Sequence, residues 1–116
     1  MDIIKTNLQF GTLEKRASTK RAIWHNSGVA VLQSVETIHN YHKSLGWAGI
    51  GYHIYIRKDG KVYEGRPLWA IGAHATGYNS DSIGVCCEGN YDIETMPEEQ
   101  KRAAQEVSAW LKQEYS

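Results

Sequence analysis

From Gly51 the chain reads GYHIYIRKDGKVYEG, and this alternation around a single turn constrains the fold more than any other stretch. A period of two puts Tyr52, Ile54 and Ile56 on one face of a strand and His53, Tyr55 and Arg57 on the other. Asp59-Gly60 is a strong hairpin signal, because a tight turn between twisted strands favours residues that tolerate positive φ, and Val62-Tyr63-Glu64 is the returning strand. Ala22-Ile23-Trp24-His25 forms an earlier short strand, stopped by Asn26-Ser27-Gly28. Ser82 to Glu88 is nearly all small or apolar, which predicts a strand central in its sheet.

Helical periodicity fills the gaps. Ser34 is placed to cap a helix in which Val35, Ile38, Tyr41, His42 and Leu45 share a face, with Gly46 at the C-terminal cap. Thr95-x-x-Glu98 has the form of a capping box, with Pro97 in the first turn of a last helix whose buried stripe is Ala103, Val107, Trp110 and Leu111. Residues 65–81, punctuated by glycine and proline, read as a long structured loop. The order β-α-β-β-β-α predicts an α/β class: a mixed central sheet flanked by helices. At 116 residues the chain is one domain, 1–116, with enough length for a real core.

Charge excludes some function classes. Lys+Arg and Asp+Glu are both 13, so the net charge is zero, against a nucleic-acid binder that neutralises phosphates and against electrostatic attachment to a membrane. Lys15, Arg16, Lys20 and Arg21 are the only charge cluster and read as a solvated lead-in. No apolar stretch approaches the roughly 20 residues of a membrane span, and MDIIKTNLQFGTLEKR lacks the apolar run of a secretory signal. Synthesis in the cytoplasm without a signal peptide is the expectation.

The histidines carry the chemical information. His25 ends a buried strand where the chain turns into a polar loop, a position where open α/β sheets place ligands and where an imidazole is held rigidly enough to bind zinc. His39 and His42, three apart on a helix, lack a third ligand at matching spacing, and structural roles are favoured. His53 alternates away from Tyr52, so the two do not face one site without a bulge. His74 sits among small residues, Gly72-Ala73-His74-Ala75, which let a substrate approach closely. Cys86 and Cys87 are neighbours pointing to opposite faces and read as buried thiols. Glu88 shares the face of Cys86 and is either a polar group near a site or a surface carboxylate at a strand end.

The ordered series GYH (51–53), DG (59–60), GRP (65–67), GAHATGYN (72–79) and SIG (82–84), with IWHNSG (23–28) before it, resembles the zinc-dependent N-acetylmuramoyl-L-alanine amidases of the phage lysozyme type, a family related to the peptidoglycan recognition proteins. The resemblance runs from about Arg21 to the C-terminus. It implies a peptidoglycan hydrolase, with His25 as the first zinc ligand and Tyr52 as the tyrosine that assists catalysis. It implies that His74 and Asn79 line the substrate groove. Some relatives place a catalytic glutamate after Ser-Ile-Gly-x, where this chain has Cys86. The reaction implied is attack of zinc-activated water on the amide joining N-acetylmuramic acid to L-alanine, at the bacterial cell wall.

Members of that family continue past the last helix into another strand and a loop bearing a second histidine, then a cysteine or aspartate, with a lysine close by. The chain stops at Ser116 before any of these. The expectation is therefore an amidase-like domain lacking the final strand, loop and remaining metal ligands, with an open sheet edge that invites self-association. The alternative is a non-catalytic peptidoglycan-binding module that has lost the metal site. Trp47 and Trp69 lie near the motif segments and are candidates for stacking on sugar rings, with core packing as the competing role.

Overall fold

The computed structural model describes residues 1–115. Five strands form one mixed sheet: β1 (Ile3–Ile4), β2 (Arg21–Asn26), β3 (Ile54–Ile56), β4 (Val62–Glu64) and β5 (Ser82–Cys87). Their spatial order is β1-β4-β3-β5-β2. The hairpin expected around Asp59-Gly60 is the antiparallel pair β3–β4, and Gly60 has φ +88°, the left-handed conformation that the turn demands. The other pairings are parallel, and β5 lies between β3 and β2 as its apolar composition predicts. Strand β1 was not expected: a two-residue strand carries no periodicity to read. Strand β2 occupies one outer edge of the sheet.

Register assigns each face its partner. His25, Cys86, Tyr55 and Tyr63 stand side by side across β2, β5, β3 and β4. On the same face Tyr55 and Cys86 pack with Val35, Ile38 and Ile50, and α1 (Val35–Ser44) covers this side. On the other face Ile54, Ile56, Val62, Ile83, Val85 and Cys87 pack against Ala103, Val107 and Leu111 of α2 (Glu98–Glu114). Trp110 is partly buried against this cluster, so the predicted stripe of α2 is the observed one. Burying Val107 and Leu111 alone stabilises by about 1.5–3 kcal/mol each.

Several local expectations are corrected. Ser34 does cap α1, accepting from Thr37 N at 3.2 Å. Tyr41 and Leu45, however, are exposed; the buried residues of α1 are Val35, Ile38, His39 and His42, because the two imidazoles turn inward to accept from the backbone amides of Ile50 and Gly51. Thr95 does not cap α2. The cap residue is Pro97, whose carbonyl accepts from Lys101 N, and it has no side-chain acceptor to offer. Arg16 is buried rather than solvated, donating to Ala70 O at 2.7 Å and Thr19 Oγ1 at 2.8 Å. No helix among the described residues is long and apolar enough to cross a membrane.

Candidate active site

The groove-side face of β5 carries only small side chains, Ser82, Gly84 and Cys86, and that leaves room for an imidazole. His74 lies over Gly84 so closely that a Cβ there would meet the ring at 2.5–2.7 Å. Asn79 shapes the loop that delivers it: Asn79 Oδ1 accepts from His74 N at 2.8 Å and from Ala75 N at 2.9 Å. Ser82 Oγ donates to Tyr78 O at 2.6 Å, so His74 Nε2, 3.1 Å away, donates to Ser82 Oγ. His74 Nδ1 is then the acceptor in its 3.0 Å hydrogen bond with His25 Nε2.

His25, half-buried at the end of β2, is thus flanked by two rings. Its centroid is 5.1 Å from His74 and 5.2 Å from Tyr52. Burial, aided by the charge of His25, pushes the His74 pKa down to about 4, and burial also lowers that of His25. Burial pushes the Tyr52 hydroxyl up to about 12, with the neighbouring Cys86 adding to it, so Tyr52 remains a proton donor throughout the neutral range.

Tyr52 reaches this site by breaking the alternation of its strand. It packs with Tyr55 against the α1-side cluster, whereas Ile54 and Ile56 belong to the opposite cluster. The grouping of Tyr52 with Ile54 and Ile56 is therefore corrected: residues 51–53 precede β3, outside its regular pleat. His53 is fully buried beside them, its Nδ1 accepting from Gly84 N at 3.0 Å and its Nε2 donating to Ala70 O at 2.8 Å. With its pKa driven down to about 3, chiefly by burial, His53 is a neutral structural bracket.

Two cavities open on this side of the sheet. One, of about 310 Å3, is lined by His42, Trp47, Tyr52, His74, Asn79 and the backbone between them; Trp47 is 42% exposed at its rim. The other, of about 340 Å3, runs along Ser27, Gln33, Tyr41, His42 and Tyr52. Together the cavities have the size of small-ligand sites. Tyr52, His74, Asn79 and Trp47 line the first cavity, and His25, which lines neither, packs against the Tyr52 and His74 rings behind it. Trp69, exposed elsewhere, lines neither cavity.

Glu88 matches neither role expected of it. Its carboxylate is 1% exposed and is bound by Arg57 Nη2 at 3.0 Å, Lys58 N at 2.9 Å and Gln33 N at 2.6 Å, tying the loop before α1 to the turn after β3. Burial alone would raise its pKa, but the Arg57 and backbone hydrogen bonds outweigh that and hold it below the usual carboxylate value. A buried carboxylate with this many partners was not legible in sequence, because its donors come from separate segments.

A catalytic zinc takes three protein ligands. His25 and His74 offer two imidazoles 3.0 Å apart, but no group of three His, Cys, Asp or Glu able to hold a metal stands among the described residues. Cys86, in register with His25 on the neighbouring strand, is a fully buried thiol. The described residues by themselves do not fit a complete zinc site, and the chemistry derived below is that of the side chains present.

Gly84→Ala tests the seating of His74. The added Cβ expels the ring, and the pKa of His74, followed by NMR, is expected to climb from about 4 towards an ordinary 6.5. Stability falls by about 1–3 kcal/mol. An unmoved His74 titration is incompatible with this packing.

A mixed sheet between two helices is a fold class this chain shares with a bacterial N-acetylmuramoyl-L-alanine amidase and with peptidoglycan recognition proteins. The structure is similar to N-acetylmuramoyl-L-alanine amidase LysC from Clostridium intestinale URNW, with a TM-score of 0.95 and 34% identity over 99% of this chain and 77% of that one. It is also similar to a mutant of Drosophila PGRP-LB in complex with tracheal cytotoxin, with a TM-score of 0.81 and 29% identity over 89% of this chain and 67% of that one. The chain belongs to the N-acetylmuramoyl-L-alanine amidase family, Amidase_2, whose sequence model matches residues 15–116. An endolysin of Klebsiella phage KP32 is 42% identical over 86 residues, which are 72% of this chain and 57% of the endolysin. The chain thus spans little more than half the length of that curated relative.

Proposed function

We propose that this chain binds bacterial peptidoglycan in the groove of His25, Tyr52 and His74 and serves a hydrolase that cleaves the amide between N-acetylmuramic acid and L-alanine. The carrying observation is the convergence of these three rings from three separated segments, with His74 and Tyr52 each within 5.2 Å of His25. Family membership supports the reaction class.

In this reading Tyr52 is the catalytic residue. Its hydroxyl, protonated at neutral pH, donates to the carbonyl oxygen of the scissile amide as negative charge develops there, a contribution of about 3 kcal/mol. Trp47 stacks on a sugar ring, and the loop of His74 and Asn79 borders the bound chain. His25 is assigned as a metal ligand. Activation of the attacking water by zinc, which the resemblance implies, would need two ligands besides His25.

Purified chain incubated with peptidoglycan sacculi tests the reading, with and without added zinc. Co-sedimentation and new alanine N-termini, detected by dinitrophenylation, are expected. Binding without new N-termini selects a peptidoglycan-binding module instead. Failure to sediment with the sacculi overturns both.

A further inference from the structure

Gln33 is the last residue before the Ser34 cap of α1, on a loop whose neighbouring side chains, Val31 and Leu32, are exposed. Its backbone is nevertheless fixed on both sides from the middle of the molecule. Glu88, which follows β5, accepts from Gln33 N at 2.6 Å, and the Tyr55 hydroxyl, from β3, donates to Gln33 O at 2.8 Å. Both Glu88 and Tyr55 are buried. A loop residue whose backbone groups are bonded to buried side chains has little freedom, so its own side chain is presented from a fixed point.

That side chain is uncommitted. Among the described residues Gln33 hydrogen-bonds through its backbone alone, and its carboxamide lines the second cavity, of about 340 Å3. Val29 and Ile38 give this cavity apolar walls, and no Lys, Arg, Asp or Glu lines it. The Ser27 hydroxyl is occupied in both senses, donating to Gly89 O at 3.2 Å and accepting from Gly89 N at 2.8 Å. His42 adds no charge at neutral pH, because burial, with Arg66 and His39 nearby, pushes its pKa down to about 4.

An ionised ligand group entering such a cavity leaves water and finds no counter-charge. A carboxamide instead meets its own complement. Each amide has N–H donors and a carbonyl acceptor, so two of them form a reciprocal pair of hydrogen bonds. Towards a carboxylate Gln33 still donates, but its carbonyl then faces a second acceptor.

We propose that Gln33 is a specificity residue of the second cavity, selecting a stem peptide that presents an uncharged carboxamide over one that presents a carboxylate. This rests on the peptidoglycan reading above and deepens it. The group concerned is the α-carboxyl of a stem glutamate linked through its γ-carboxyl, which is either free or amidated.

Two muramyl pentapeptides that differ only at that group, acid in one and amide in the other, are the probes. By calorimetry the wild-type chain is expected to bind the amidated peptide about tenfold more tightly. Gln33→Lys places a cation at the same point and is expected to reverse the order. Gln33→Met, of similar length but without hydrogen-bonding groups, is expected to raise Kd for the amidated peptide about tenfold. The melting temperature of both variants is expected to stay within about 3 °C of wild type, since the side chain holds nothing in the fold. A larger fall identifies a structural role and overturns the assignment. Equal wild-type affinity for the two peptides, an unreversed order in Gln33→Lys, or unchanged affinity of Gln33→Met for the amidated peptide each overturns it as well. A wild-type chain that binds neither pentapeptide overturns the peptidoglycan reading itself, and this proposal with it.

Discussion

Glu88→Ala is expected to lower stability by about 3–5 kcal/mol, because it strips a fully buried carboxylate acceptor from two backbone N–H groups and the partly exposed Arg57 at once. Arg57, Lys58 N and Gln33 N all lose their acceptor at once. For a chain of this length the melting temperature falls by roughly 10–20 °C, measured by circular dichroism. Glu88→Gln, which keeps the shape and part of the hydrogen bonding, falls in between. The pH dependence has a definite sign. The Glu88 pKa is depressed in the folded state, so its contribution is complete above the ordinary value of 4.5 and is lost as pH falls through the lower folded value. Glu88→Ala should therefore remove part of the acid sensitivity of the wild type below pH 4.5. A melting temperature within about 3 °C of wild type would show that these bonds contribute little net stability.

Tyr52→Phe carries the largest expected effect on chemistry. If the hydroxyl donates to the developing oxyanion, kcat for release of L-alanine stems drops about 10²–10³-fold while the affinity for muramyl peptide changes little. The ring packs as before against His25 and His42, at 5.2 and 5.6 Å, so the fold is retained. Because burial holds the Tyr52 pKa near 12, ionisation of this group does not depress the wild-type rate through pH 10. Hydrolysis at the wild-type rate by the Tyr52→Phe variant removes this hydroxyl from the reaction.

The elements of the fold were largely legible because each is local. The Asp59-Gly60 turn, the apolar run of Ser82–Cys87 and the Ala103, Val107, Leu111 stripe of α2 are short-range patterns, and the structure keeps all three. His25, Tyr52, His74, Asn79 and Trp47 were singled out from their ordered motifs; the last four line one cavity, and His25 packs against the Tyr52 and His74 rings. The errors share a cause. Tyr52 leaves the pleat, Arg16 is held by the carbonyl of Ala70, and Glu88 is satisfied by donors from residues 33, 57 and 58. No periodicity records which partner a side chain will find across 30 or more residues.

Sequence by itself determined which segments become strand, turn or helix, because alternation, capping and turn chemistry act over a few residues. Tertiary structure alone decided which side chains meet. Parallel pairing of β2 and β5 sets His25 beside Cys86, and the missing side chain at Gly84 admits His74 to hydrogen-bond His25. Register and close packing are properties of neighbouring segments, and no single stretch of chain contains them.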